Sequence, residues 1–118
     1  YVNDCVQNRM RPEQVLYFSP NSFGTADAIS FKNDTLKVFD LKTGDRDASM
    51  DQLYIYAALF CLEYDYAPGK IDILTRIYPK GDYFEEHPTA EDILPIMDTI
   101  KTFDKLIEEY KEESRYEI

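Results

Sequence analysis

"FGTADAISFKNDTLKVFDLKTG", residues 23–44, decides the fold. Two runs of alternating apolar residues, TADAISF (25–31) and TLKVFDLK (35–42), flank Lys32-Asn33-Asp34. Alternation of this kind reads as two half-buried strands. Asn and Asp both tolerate the positive φ that a two-residue hairpin turn requires. A turn centred on Asn33-Asp34 sets Lys32 against Thr35, Phe31 against Leu36, Ile29 against Val38 and Asp27 against Asp40. Side chains repeat with period two, so the last three pairs share one face. Two apolar pairs are stacked, and a pair of carboxylates closes the series. Like charges directly opposed across strands, with Cβ atoms about 5 Å apart, are destabilising. Uncompensated, one carboxyl is driven to a raised pKa. A divalent cation removes the conflict, since it can bridge two carboxylates at this separation. The Leu41 carbonyl supplies a third oxygen, and Lys42 follows Asp40 by two residues on the same face. Two acids, a metal and a lysine suit hydrolysis of a phosphodiester: the metal acidifies water and neutralises phosphate charge, and the lysine steadies the attacking water or the developing oxyanion. On spacing alone the two aspartates equally read as strand ends bonded to turn amides, with Lys42 a surface charge.

Outward from the hairpin, each flank reads as a few regular elements. Tyr1, Val2, Cys5 and Val6 have helical spacing, as the tail of a longer helix would. Pro12 and then QVLYFS (14–19) lead as a strand into the PNSFG turn (20–24). After the hairpin, TGDRDAS (43–49) is a polar loop. MDQLYIYAALFCLEY (50–64) is apolar on nearly every side and predicts a buried helix. IDILTRIY (71–78) predicts a strand, and a short one follows at Tyr83–Glu86. Ile93, Met97, Ile100, Phe103, Ile107 and Tyr110 make the stripe of a long helix, with Thr89 and Asp92 spaced as a capping box. Pro95 predicts a kink or a start near it. A strand–helix–strand unit after a hairpin implies a right-handed crossover. The class is α/β (α+β): a central mixed β-sheet flanked by helices.

Composition sets limits on function. The 118 residues fit one domain, with an acidic amphipathic helix over 89–118. No apolar run approaches the ~18 residues of a membrane span, and no secretory signal is visible, so we expect a cytoplasmic chain with no membrane partner. Cys5 and Cys61 match no metal spacing, and Cys61 reads as core. The net charge of −10 argues against a general polyanion-binding surface. Residues 83–118 carry eleven acids against four bases, whereas residues 1–82 carry twelve against nine. Contact with nucleic acid would therefore fall to the first two-thirds.

The same residues resemble the PD-(D/E)XK nuclease superfamily, in its RecB-like and phage exonuclease branch. GTADAI (24–29) looks like the G-x-x-D strand with Asp27 as its acid, although Ala26 replaces the proline of the family name. VFDLKTG (38–44) looks like the (D/E)-x-K motif, with Asp40 and Lys42. QLYIY (52–56) looks like the Q-x-x-x-Y helix motif, with Gln52 and Tyr56 one helical turn apart on one face. The resemblance covers roughly residues 1–80 and implies a restriction-endonuclease-like core. It implies a metal-dependent deoxyribonuclease, an exonuclease of phage or prophage recombination type acting on DNA. Mg²⁺ or Mn²⁺ would be held by Asp27, Asp40 and the Leu41 carbonyl, with Lys42 catalytic and Gln52 and Tyr56 in support. The family pattern has one more acid or histidine on the helix before the first strand, expected upstream of Tyr1. Asp4 is read as facing solvent, Glu13 as a weak candidate and His87 as a loop residue. The alternative is a nuclease fold that only binds nucleic acid or protein. A homo-oligomer or a recombination partner protein is left open.

Overall fold

The computed structural model describes residues 1–41 and 49–115. A five-stranded mixed sheet in the order β1-β2-β3-β4-β5 forms its centre. The strands are β1 (Arg11–Ser19), β2 (Ser22–Lys32), β3 (Thr35–Leu41), β4 (Asp72–Tyr78) and β5 (Phe84–Glu86). All neighbours are antiparallel except β3 and β4, which run parallel. Helix α1 spans Val2–Gln7, α2 spans Met50–Tyr64 and α3 spans Ala90–Ser114.

From the turn to Ala28–Phe39 the hairpin has the register its alternation predicts, but the expected Asp27–Asp40 pair lies beyond the end of the ladder. Lys32 pairs with Thr35, Phe31 with Leu36 and Ile29 with Val38. Asn33 and Asp34 have φ of 52° and 57°, the left-handed pair that matches the twist of the strands. β1 begins before Pro12, which pairs with Ala28. The missing amide of Pro12 is tolerated because β1 is an edge strand.

α2 lies on one face of the sheet and buries Leu53, Tyr56, Ala57, Ala58, Leu59, Phe60 and Cys61. These residues surround the helix because the sheet lies on one side and α3 on the other. Its core partners include Leu16, Ala26, Ile29, Leu36, Val38, Ile73, Ile77 and Ile93. The Ser49 side chain accepts from the Asp51 amide and caps the helix. On the opposite face α1 adds Tyr1 and Cys5 to a smaller cluster around Ala28, Phe39 and Tyr78.

α3 starts at the Thr89–Asp92 capping box and runs through Pro95. Only the first part of its stripe packs: Ile93 is fully buried, and Ile96, Met97 and Ile100 lean on the core. Phe103 and Tyr110 are exposed. The second half is held by polar contacts instead. Asp104 and Glu108 accept from the Asn21 side chain, and Lys111 donates to it. The helix thus reaches the β1–β2 turn. Both cysteines are free thiols, with Cys61 buried as expected. Among the described residues, no helix is long and apolar enough to cross a membrane.

Candidate functional site

The β2–β3 ladder stops at Ala28–Phe39. In an unbroken antiparallel ladder the next bond would run from the Leu41 amide to the Ala26 carbonyl. The Leu41 amide donates instead to Asp27 Oδ2, at 3.0 Å. A side chain has taken the place of a backbone acceptor. The alternation of β2 breaks at the same point. Gly24 and Ala26 face α2, Ala28 belongs to the opposite cluster, and Ile29 and Phe31 face α2 again. Across from the break, on β1, Glu13 has a φ of 48°. The sequence predicts uniform alternation through Asp27, and the structure corrects this: two consecutive residues, Asp27 and Ala28, separate the two α2-facing series.

Asp27 and Asp40 meet at this strand end, both half-buried. Burial pushes the Asp40 carboxyl up to about 7, helped by a hydrogen bond with the Asp27 carboxylate and by its charge, while the Asp27 backbone amide pulls the other way. A carboxyl displaced this far shares a proton with its neighbour instead of ionising beside it. Tyr56, buried in the α2 core, has its phenol raised first by burial and then by the charges of Asp40 and Asp27. Tyr1, on the α1 side, is raised first by burial and then by Cys5, with the same two carboxylates adding to it. Tyrosines on both sides of the sheet therefore feel the pair.

The neighbouring residues explain how the pair is held. A Cβ on Gly24 would come within 2.7 Å of Tyr56 Cε1, so the glycine lets the tyrosine ring rest against β2. Tyr56 is thus both a core residue and a neighbour of the carboxylates. Gln52, one turn earlier, is exposed in the first turn of α2. Leu41 ends β3 and is 40% exposed. Lys42 lies outside the described residues. Glu13 and His87 are exposed, and His87 contacts Glu85.

Asp4 is a correction. It is half-buried and engaged rather than solvated: its Oδ2 accepts from the Tyr78 hydroxyl at 2.8 Å and from Arg76 at 3.4 Å. Arg76 is the residue that sequence reasoning missed. Its guanidinium lies 4.7 Å from the centre of the Phe39 ring and 4.2 Å from that of Tyr83. Its Nε and Nη2 both donate to Glu85 Oε1. The local signal was an arginine on the face of β4 opposite Ile73 and Ile77, beside tyrosines.

Two carboxylates in contact, one of them resisting ionisation, lose their conflict when a cation replaces the shared proton. Among the described residues, no cluster of three or more His, Cys, Asp or Glu is placed to hold a metal. Mg²⁺ commonly keeps several waters and takes only one or two carboxylates.

Comparison of the chain with protein-family models, with curated proteins and with solved structures gives no match.

Proposed function

We propose that the chain is a metal-dependent deoxyribonuclease, an exonuclease of phage or prophage recombination type that hydrolyses phosphodiester bonds in DNA. The observation that carries the proposal is the contact of Asp27 with Asp40 and the raised carboxyl that results. Such a perturbed pair persists against its own electrostatic cost when the site has a use for it. Asp27, Asp40 and the Leu41 carbonyl hold Mg²⁺ or Mn²⁺. The metal, when bound, lowers the pKa of water and neutralises charge on the phosphate. Asp27 keeps its second task, accepting the Leu41 amide, and so fixes the end of β3 on which the third oxygen sits. Tyr56 and Gly24 lock the strand against α2. Lys42 steadies the attacking water, and Gln52 supports it from the first turn of α2.

The test is digestion of linear duplex and single-stranded DNA with Mg²⁺ or Mn²⁺. Cleavage should be lost with EDTA and fall about 100-fold or more in Asp27→Asn, Asp40→Asn and Lys42→Ala. Absence of cleavage, or an unimpaired Asp40→Asn, contradicts the proposal. The two-acid donor set favours one second reading, a nuclease fold that binds DNA without cutting. Salt-dependent binding with no turnover would identify it.

A further inference from the structure

A cleft of about 550 Å³ opens beside the aspartate pair, and Leu41 joins the two. The Leu41 amide is bonded to Asp27, and Leu41 also lines the cleft. Tyr1, which feels the charge of both aspartates, forms part of the same wall. The rest comes from the end of β4 and the turn that follows: Tyr78, Lys80 and Tyr83.

The wall is aromatic and fixed. Tyr1 packs edge-on to Tyr78 with ring centres 5.1 Å apart, and Tyr78 meets Tyr83 at 5.6 Å. Arg76 holds the Tyr83 ring from one side through its cation–π contact, and is itself anchored by Phe39, Glu85 and Asp4. Tyr83 nevertheless leaves 45% of its surface exposed. A large aromatic side chain is thus held in place while nearly half of the residue stays exposed. Lys80, also exposed, stands in the same turn. Asp4 and Asp82 line the cleft too, but Asp4 is engaged by Arg76 and Tyr78, and Asp82 accepts from the Tyr83 amide.

The geometry points to this cleft as a seat for an unpaired nucleobase at a DNA end, stacked on Tyr83 with the adjoining phosphate at Lys80. The inference rests on the nuclease reading and deepens it, because it assigns single-stranded termini as the form of substrate that is engaged. A volume of a few hundred Å³ matches a ligand of nucleotide size. An aromatic platform beside a cation binds bases whatever their sequence, since every base has a π-face. A base inside a duplex is stacked on its neighbours and cannot use such a platform.

The experiment measures fluorescence anisotropy of labelled (dT)₁₂ and of a labelled 12-base-pair blunt duplex in Ca²⁺, together with cleavage of both in Mn²⁺. The wild-type chain should bind (dT)₁₂ more tightly than the duplex. Tyr83→Ala should weaken (dT)₁₂ by about 10-fold and leave the duplex unchanged, since loss of a base stack typically costs this much. Tyr83→Phe keeps the ring and should bind as the wild type does. Lys80→Ala should reduce the salt dependence of (dT)₁₂ binding. Unfolding curves of Tyr83→Ala and Tyr83→Phe separate loss of stacking from loss of fold. Metal-dependent cleavage with (dT)₁₂ affinity unmoved by Tyr83→Ala, or with the duplex preferred, overturns the cleft assignment alone. Failure of the wild-type chain to bind or cut either DNA overturns both readings.

Discussion

Asp40→Asn, studied in EDTA, isolates the cost of the carboxylate pair from anything the pair does. Asparagine resembles the protonated acid in shape and can still donate to Asp27, but it carries no proton to lose. In the folded chain the Asp40 carboxyl stands at about 7, against an ordinary 3.8. For a fully desolvated group that displacement would be ~4 kcal/mol at high pH. Asp40 is only half-buried, and solvent screening reduces the figure to about 1–2 kcal/mol. The sign follows from proton binding. Between pH 4 and 7 the folded chain holds a proton at Asp40 that the unfolded chain has released, so stability falls as pH rises through this window. Below it the penalty is absent, and above about pH 7 it is complete. Urea denaturation followed by circular dichroism at pH 8 should therefore show Asp40→Asn more stable than the wild type by about 1–2 kcal/mol. Near pH 4 the two should be alike. A variant less stable than the wild type at pH 8, or a gap that does not change with pH, would refute the reasoning.

Other features of the fold lead to further measurements. Gly24→Ala drives a methyl into the Tyr56 ring and should destabilise by roughly 1–3 kcal/mol in the same urea assay. Arg76→Ala removes the cation held between Phe39 and Tyr83 and leaves Asp4 and Glu85 without it; we expect a loss of about 1–3 kcal/mol. Arg76→Lys should recover little of that loss, because an ammonium cannot both stack and fork onto Glu85. Ile93→Ala should cost about 2–5 kcal/mol, since the side chain is fully buried beneath α3. Phe103→Ala, on the same helical stripe but exposed, should stay within about 0.5 kcal/mol of the wild type. Thermal melts of this last pair check how far along α3 the packing extends.

Much of this architecture is legible along the chain because its causes are local. Asn33-Asp34 supplies the left-handed turn, the flanking alternation sets the register, and Thr89 with Asp92 announces α3. α2 is legible because a helix buried on two sides must be apolar all round. The break at Asp27–Ala28 is not, because it depends on Asp27 taking an amide 14 residues away. Asp4 was misplaced for a related reason. A helix of six residues has too few turns for its stripe to fix a direction, and Asp4 is drawn inward by Arg76 and Tyr78, more than 70 residues later. The stripe of α3 misleads in the opposite sense. Its period continues past Ile100, but the apolar core beneath it does not, and polar contacts to Asn21 take over. In the candidate site, the turn-set register brings Asp27 and Asp40 to the same strand end, but the ladder stops at Ala28–Phe39 and does not pair them. The aromatic wall around Arg76 could not be read from register, since it joins α1, β3, β4 and the turn beyond them.

The central claim is that one cation sits between positions 27 and 40. Calorimetric titration with Mn²⁺ at pH 8 tests it most directly. A single site per chain is expected in the wild type, and the same titration repeated below about pH 7 should release protons on binding as Asp40 ionises. The site should be lost in both Asp27→Asn and Asp40→Asn. Manganese uptake of equal strength in either variant, or none in the wild type, would contradict it.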